Sequence, residues 1–265
     1  MHPRPADPLE VSRRAAHCVR DALARHPETA DRGRRLERGK GGDVTMVLDR
    51  VAEDAVLTEL ERAGQPLTAI SEERGEVELD GGGPPYVVID PVDGSLNSKR
   101  RLPFYALSLA WAAGRAMSDV DFGYVFDLAR EEEWWAELEG GAFLDGAQLA
   151  PLEPRESFEI VGIENAQPEL VGEHAAGIAA LPASRVRVLG SVALAMCFVA
   201  DARLDAMVSL REIRSVDAAA AQLIVREVGG VVAFPDAGDD PGLGLDMRSR
   251  VFAAGPAGLE GLLDV

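Results

Sequence analysis

Hydrophobic positions along the chain recur with two spacings, one typical of helices and one typical of strands. Apolar residues three and four positions apart lie on one face of an α-helix, and five segments have this spacing. The predicted helices cover residues 11–26, 46–63, 168–180, 192–202 and 217–228. Short apolar runs bounded by glycine, proline and acidic residues predict strands. The predicted strands, with their turns, cover residues 67–76, 86–90, 105–114, 119–126, 133–146, 158–163, 184–190, 204–210, 231–236 and 250–255.

Strands and helices alternate along the 265 residues, which predicts an α+β or α/β fold. Residues 150–158 are rich in proline, glutamate and serine, a composition typical of a boundary between two units. We therefore expect an N-terminal α+β half over residues 1–150 and a C-terminal α/β half over residues 151–265.

The chain is strongly acidic, with 45 Asp and Glu residues against 27 Lys and Arg residues and a net charge of -18. A field of this sign repels nucleic acid and anionic lipid, so we expect neither as a partner. Lysine is nearly absent, since Lys40 and Lys99 are the two in the chain. An excess of carboxylates with so few lysines is typical of a surface suited to concentrated salt, and it predicts a halophilic protein.

No run of 18 apolar residues occurs, and the first ten residues lack an apolar secretory core, so we expect a cytoplasmic protein without a membrane partner. Cys18 and Cys197 lie far apart without metal-binding spacing and are predicted to be buried, reduced thiols. The four histidines are scattered, which argues against a histidine-centred mechanism.

Residues 86–95 place two carboxylates and a hydroxyl at the end of an apolar strand. Gly94 permits a sharp turn, so Asp90 and Asp93 can converge with the carbonyl of Val92 between them. Mg²⁺ takes oxygen ligands of this kind, and the N–H groups after the turn can face an anion at the start of a helix. Metal ligands beside a phosphate site indicate phosphoryl chemistry. The alternative is a turn in which both aspartates only bond the backbone.

Other acidic positions are candidates for the same site. Glu72 and Glu73 follow a predicted strand, and neighbouring strands often end at the sheet edge where α/β proteins bind ligands. Asp217 begins an alanine-rich helix, where a buried charge needs a partner or a cation. Asp49 lies on a helix that is otherwise apolar on one face. Taken singly, each favours a structural role: a solvated turn for the glutamates, an N-cap for Asp217 and a surface acid for Asp49.

Together these segments resemble the inositol monophosphatase family, especially its archaeal branch, which acts on inositol monophosphate and on fructose 1,6-bisphosphate. The matching stretches occur in the order of the family between residues 36 and 255. They are GGDVTMVLDRVAED, ISEERG, VIDPVDGSLN, PFYALSLA, GGAFLDG, RVLGSVALAMCFVADARLDAMV and SVDAAAAQLIVREVGGVV. The resemblance implies a layered αβαβα sandwich, dependence on two or three Mg²⁺ ions, and a homodimer.

The resemblance also implies a role for each acidic position. The implied metal ligands are Glu72, Asp90, the Val92 carbonyl, Asp93 and Asp217. Gly94 and Ser95 would hold the phosphate, and Asp49 would pair with Ser95 to polarise the attacking water, so that Asp49, Glu72 and Ser95 form the catalytic group. Lys40 or Asp43 falls in the loop that can help to bind a further metal.

The sequence departs from the family at the substrate end of the site. The glutamate that contacts inositol hydroxyls in the family has no clear counterpart, and Arg211 stands in that segment. An arginine suits a second phosphate, and we expect Arg185, on the strand leading to Gly190 and Ser191, to join it. The predicted substrate contacts are Asp93, Gly94, Ser95, Arg185, Gly190, Ser191 and Arg211.

The predicted reaction is hydrolysis of inositol 1-phosphate, fructose 1,6-bisphosphate or both by in-line attack of a metal-activated water. The alternatives are a phosphatase of a 3′,5′-bisphosphonucleotide or histidinol phosphate, and a non-catalytic, metal-binding regulatory homologue. Only 5% of residues are aromatic, which argues against stacking of a nucleotide. The full set of acidic ligands argues against a purely regulatory role. Trp134 and Trp135 are predicted either at a subunit contact or in the core.

Overall fold

The computed structural model describes residues 6–26, 35–38, 44–155, 157–238, 240–256, 258–259 and 262. Seven α-helices form in this part of the chain. They are α1 (Pro8–Ala24), α2 (Val47–Ala63), α3 (Ser95–Arg100), α4 (Pro168–Glu173), α5 (Ala175–Ala180), α6 (Val192–Ala200) and α7 (Ser215–Glu227). None of these described helices is long and apolar enough to cross a membrane.

The strands of the described residues form three sheets. They are β1 (Arg35–Arg38), β2 (Val44–Met46), β3 (Leu67–Ser71), β4 (Gly75–Leu79), β5 (Tyr86–Asp93), β6 (Ala106–Ala112), β7 (Val120–Asp127), β8 (Glu133–Glu137), β9 (Gly141–Leu144), β10 (Ala147–Gln148), β11 (Phe158–Glu164), β12 (Ala183–Arg187), β13 (Ala206–Ser209), β14 (Val231–Ala233) and β15 (Phe252–Ala254).

The large sheet has the strand order β10-β9-β8-β7-β6-β5-β3-β4, and the smaller one has the order β12-β11-β13-β15-β14. β1 pairs only with β2 among the described strands. Within the large sheet β3 runs parallel to β5, with Ser71 opposite Ile89. The two strands therefore end at the same edge, and this brings Glu72 close to Asp90.

The helices and sheets stack in five layers, α-β-α-β-α. One apolar core joins α1 and α2 to the outer face of the large sheet, through residues such as Val56 and Leu109. A second core places α6 and α7 between the two sheets, where Ala195 and Ala220 are completely buried. A third joins the far face of the small sheet to residues of α4 and α5. The predicted αβαβα sandwich is the observed fold.

Residue size alternates along β6 and determines which helices pack on each face. Leu109 and Trp111 belong to the core with α1 and α2, whereas Ala110 and Ala112 face α6 and α7. Successive side chains of a strand point to opposite faces, so this alternation gives the sheet one bulky face and one shallow face. The shallow face lets the central helices lie close to the sheet.

Gly123 of β7 is required by the same close approach. A Cβ atom at this position would lie 2.5 Å from the backbone oxygen of Ala220 in α7. Contacts this short do not occur between real atoms, so a side chain here would push the helix away from the sheet. The position of α7 matters for the site because Asp217 lies in its first turn.

Three local predictions differ from the structure. The predicted strand 67–76 is a hairpin, in which β4 returns antiparallel to β3 after a turn. The predicted helix 168–180 is two short helices that meet at His174. No residue of either helix is buried, so little packing opposes the break, and Gly172 lowers the helix propensity there. Helix α7 begins at Ser215, so Asp217 is its third residue rather than its N-cap.

Trp134 lies in the core, and its indole N–H donates to Asp201 at 3.1 Å. Trp135 is partly buried and stacks on Phe143, with ring centroids 3.9 Å apart. Both cysteines are free thiols; Cys197 is buried as predicted, whereas Cys18 is only partly buried. The division of the chain near residues 150–158 stays a prediction.

Candidate active site

Three carboxylates from three separate segments meet at the edge of the large sheet. Glu72 follows β3, Asp90 lies in β5 and Asp217 lies in the first turn of α7. One oxygen from each lies within 4.8 Å of the others. Because like charges at this distance repel each other, the arrangement is stable only with protons or cations present. The three residues form a group that could hold a metal ion, and we call them the carboxylate cluster.

The backbone of each segment fixes the carboxylate that it carries. Asp217 Oδ2 accepts a hydrogen bond of 2.9 Å from the backbone N–H of Arg214, which anchors the start of α7. Asp90 Oδ1 accepts one of 3.0 Å from the backbone N–H of Val92. The register of the antiparallel pairing between β5 and β6 shifts between Asp90 and Asp93, and this irregularity sets the two aspartates apart.

Asp93 is held by the start of α6 in the neighbouring layer. Its Oδ2 atom accepts hydrogen bonds from the hydroxyl of Ser191, at 2.5 Å, and from the backbone N–H of Ala193, at 2.7 Å. Negative charge is favoured at the N-terminus of a helix, so this contact fixes Asp93 against the start of α6. Ser191 is buried. The structure therefore gives Ser191 a contact with Asp93 rather than a place among the described residues that line the cavity.

Asp49 and Ser95 lie beside the cluster. Asp49 Oδ2 accepts the backbone N–H of Met46 at 3.1 Å, while its Oδ1 atom is buried without a hydrogen-bond partner among the described residues. The Ser95 hydroxyl donates to the Val92 carbonyl at 2.9 Å. Ser95 also lies close enough to Asp49 to lower the pKa of that carboxyl, and the pairing of the two residues that the resemblance implies stays a prediction. A carbonyl oxygen has two lone pairs, so Val92 retains capacity to bind a cation.

Gly94 makes the turn between the strand and α3 possible. Its φ of 87° is left-handed, and a Cβ atom would lie 2.7 Å from the backbone oxygen of Phe104 and 3.1 Å from that of Gly190. Only glycine fits this position, as the sequence predicts. The turn brings the backbone of Gly94 and the side chain of Ser95 to the wall of the cavity.

Burial raises the pKa of several of these carboxyls. It raises the pKa of Asp49 to about 7 and that of Glu72 to about 8; neighbouring carboxylates add to both shifts, and Arg214 opposes the one at Glu72. Burial also raises the pKa of Asp93 to about 7, and that of Asp90 is raised. A divalent cation would reverse these shifts by stabilising the ionised forms. The unpartnered Asp49 oxygen and the all-oxygen donor set fit a hard cation such as Mg²⁺.

A cavity of about 660 Å³ opens over the cluster. Asp49, Asp93, Gly94 and Ser95 line it together with the three clustered carboxylates. Its basic side chains are Arg211, Arg214 and Arg248. Positive charge around an acidic floor suits a substrate with more than one phosphate.

Comparison with known proteins gives the family of the chain. Residues 8–263 match the profile of the inositol monophosphatase family. The chain belongs to the inositol monophosphatase family. It is 34% identical to the fructose-1,6-bisphosphatase/inositol-1-monophosphatase of Methanothermobacter thermautotrophicus, over 94% of this chain and 92% of that protein. It is 32% identical to the protein of the same name from Archaeoglobus fulgidus, over 92% of this chain and 91% of that protein.

A crystal structure of an inositol monophosphatase–fructose 1,6-bisphosphatase has the same fold as the chain. The TM-score is 0.82 with 24% identity, over 98% of this chain and 99% of the other. The predicted family, its layered fold and a phosphoric monoester hydrolase of the inositol monophosphatase type are therefore confirmed.

The structure brings most of the predicted site residues of this inositol monophosphatase-family protein to one cavity. Arg211 and Gly190 line it, as predicted for substrate contacts. Arg185 is not brought there: it is exposed on β12, and its guanidinium donates to the backbone oxygen of Ser184. Lys40 and Asp43 lie outside the described residues, and the roles assigned to individual residues stay predictions.

Two residues that shape the site, Arg214 and Glu164, were not predicted from the sequence. Arg214 contacts Glu72, and Glu164 accepts backbone hydrogen bonds at 3.1 Å from Leu189 and 2.7 Å from Gly190. Glu164 directly follows the apolar run of β11, the same signal that pointed to Glu72. Arg214 lies three residues before Asp217, so a search for cations near the predicted ligands could have found it.

Proposed function

We propose that the chain hydrolyses phosphate monoesters with Mg²⁺ and that its substrates are inositol 1-phosphate and fructose 1,6-bisphosphate. The observation that carries the proposal is the meeting of Glu72, Asp90 and Asp217 within 4.8 Å under a cavity that also contains the Gly94–Ser95 turn. The names of the two archaeal relatives support the pair of substrates.

Five residues would hold the metal. Glu72, Asp90 and the Val92 carbonyl would bind one Mg²⁺, and Asp90, Asp93 and Asp217 would bind a second. Lys40 or Asp43 would help to bind a third, as the resemblance implies. Bound Mg²⁺ lowers the pKa of water and offsets negative charge on the phosphate. Bound cations would offset the negative charge of these carboxylates and so relieve their mutual repulsion.

The remaining residues position the water and the phosphate. The backbone N–H of Gly94 and the Ser95 hydroxyl bind phosphate oxygens. Asp49 Oδ1 accepts a hydrogen bond from the attacking water and takes its proton. Without metal, burial raises the pKa of this carboxyl to about 7; bound Mg²⁺ would lower it and keep the group ionised near neutral pH, so that it can accept a proton. Asp93 lines the same cavity and would contact the substrate as well as the metal, and a water would give the leaving alkoxide its proton.

Arg211 determines the preference for a second phosphate in this proposal. Its guanidinium can bind a phosphate with two parallel hydrogen bonds, and Arg248 lines the same cavity. Inositol 1-phosphate has no second phosphate, so it would lose little when Arg211 is replaced.

Phosphate release from four esters tests the substrate class: inositol 1-phosphate, fructose 1,6-bisphosphate, adenosine 3′,5′-bisphosphate and histidinol phosphate, each with Mg²⁺. We expect turnover of the first two. Arg211→Ala should raise KM for fructose 1,6-bisphosphate about tenfold or more and leave KM for inositol 1-phosphate nearly unchanged. Arg185→Ala is the matched control. Turnover of the nucleotide or of histidinol phosphate alone would overturn the substrate assignment.

Three further proposals concern the whole protein. We propose that the protein is a homodimer and that it works in a cytoplasm of high salt. We also propose that the site forms between the two halves of the chain, with residues 1–150 supplying all the ligands except Asp217. The net charge of -18 supports the salt requirement, because counterions screen self-repulsion. Light scattering tests the homodimer, and thermal unfolding in dilute and in molar KCl tests the salt requirement. A monomer in molar KCl, or a midpoint that does not rise with KCl, would contradict them.

A further inference from the structure

Arg214 forms an ion pair inside the carboxylate cluster. Its Nη2 atom lies 2.5 Å from Oε1 of Glu72, and the two side chains are only 13% and 17% exposed. Its backbone N–H donates to Asp217. One residue therefore contacts two of the three clustered carboxylates, one through its side chain and one through its backbone.

The guanidinium and a divalent ion compete for the same atom. Mg²⁺ binds oxygen at 2.0–2.1 Å with strict octahedral geometry, and Oε1 of Glu72 already accepts a charge-assisted hydrogen bond. The two cations also repel each other, and this repulsion is strong in a partly buried site because water screens it poorly. Oε1 keeps a second lone pair, so the contact does not block it outright, but the positive charge of Arg214 beside it weakens the binding of a metal ion there while the contact persists.

The surroundings allow the contact to break. Arg214 lines the cavity of about 660 Å³, so its side chain has space to turn away from Glu72. Its backbone stays fixed by the bond to Asp217 at the start of α7. Release of Glu72 therefore requires a change of rotamer rather than a movement of the helix.

We propose that Arg214 is an internal counter-ion that stabilises the metal-free site and competes with Mg²⁺ for Glu72. The proposal rests on the proposed metal-dependent function. It implies that the chain binds Mg²⁺ more weakly than its ligands alone would allow, and that loading of the metal and release of Arg214 are one coupled event.

Calorimetric titration with Mg²⁺ tests this, without substrate, on the wild type and on Arg214→Gln, Arg214→Lys and Arg211→Gln. Arg214→Gln should bind Mg²⁺ about tenfold more tightly, since a competing charge-assisted contact is gone. Arg214→Lys keeps the charge without the planar fork and should lie between them. Arg211→Gln removes the same charge from the same cavity, and its smaller effect measures the general electrostatic contribution.

Thermal unfolding gives a second readout that does not depend on activity. In EDTA, Arg214→Gln should unfold at a lower temperature than the wild type, and saturating Mg²⁺ should raise its midpoint by more than it raises that of the wild type. Equal or weaker Mg²⁺ binding by Arg214→Gln, or an effect no larger than that of Arg211→Gln, would overturn the proposal. A wild type that binds Mg²⁺ but hydrolyses none of the esters would overturn the proposed function alone.

Discussion

Two buried glutamates hold the backbone segments that carry site residues. Glu53 of α2 accepts hydrogen bonds from the hydroxyl of Ser71 and from the backbone N–H of Arg74, on either side of Glu72. Glu164 accepts from the backbone of Leu189 and Gly190 in the loop before α6. Neither is expected to touch substrate, so each acts through the segment that it fixes.

Replacement of Glu164 tests this role at the level of one residue. Glu164→Ala leaves two backbone N–H groups without their acceptor and loosens the loop that leads to Ser191 and Asp93. We expect kcat to fall about tenfold to 100-fold with a smaller change in KM, and the free energy of unfolding to fall by about 1–3 kcal/mol. Glu159→Ala, an exposed change on the same strand, should change neither. A folded Glu164→Ala enzyme with wild-type kcat would contradict the role.

The central helices connect the two sheets at the scale of secondary structure. α6 places Ser191 and Ala193 against Asp93, and α7 carries Asp217. Both helices are rich in alanine and pack on the shallow face of the large sheet. The spacing between helix and sheet therefore determines the distance between Asp217 and the carboxylates at the edge of the large sheet.

Gly123→Ala tests this dependence on spacing. The added methyl group would collide with the backbone of Ala220, and we expect a loss of about 1–3 kcal/mol in the free energy of unfolding, as for other overpacked cores. Mg²⁺ affinity should fall as well, because α7 carries Asp217. Gly172→Ala is the control, since its side chain would meet open space in the exposed helix α4. Equal midpoints of urea unfolding for the wild type and Gly123→Ala would contradict the requirement for glycine at this position.

At the scale of the whole molecule, the buried carboxyls couple stability to pH and to metal. The pKa values of Asp49, Glu72 and Asp93 lie above those of an unfolded chain. Between the two sets of values the folded state holds more protons. Without metal, these three carboxyls therefore contribute most to the free energy of unfolding below about pH 4 to 5. Their contribution falls as the pH rises to about 8.

Thermal unfolding with EDTA and with Mg²⁺ at about pH 5.5 and about pH 8.5 checks this sign. We expect the metal-free midpoint to fall between the two pH values and Mg²⁺ to raise it more at the higher pH, where the ligands are ionised. Asp49→Asn should flatten the fall without metal. A metal-free midpoint that rises with pH in this window would contradict the account.

Local patterns predicted the strands and helices of an α+β or α/β fold and several carboxylates of the cavity wall, because strand ends, turns and helix starts depend on neighbouring residues. Gly94 and the carboxylates of β5 are examples. Contacts between distant segments could not be read in this way: Ser191 reaches Asp93 from 98 positions away, and Arg214 reaches Glu72 from 142. Such pairs depend on how the layers stack, and no local spacing encodes that. The layered sandwich and the role of each residue were implied by the resemblance to the family.

The most direct test of the central claim is phosphate release from inositol 1-phosphate and fructose 1,6-bisphosphate by the wild type, Asp49→Asn and Asp54→Asn, with Mg²⁺ and with EDTA. Asp54 lies on the same helix as Asp49 but is 50% exposed and paired with Arg74. We predict turnover only with Mg²⁺, a loss of about 100-fold or more in Asp49→Asn, and the wild-type rate in Asp54→Asn. Hydrolysis that persists in EDTA, or an Asp49→Asn enzyme as fast as the wild type, would contradict the assignment of this cavity as a metal-dependent phosphatase site.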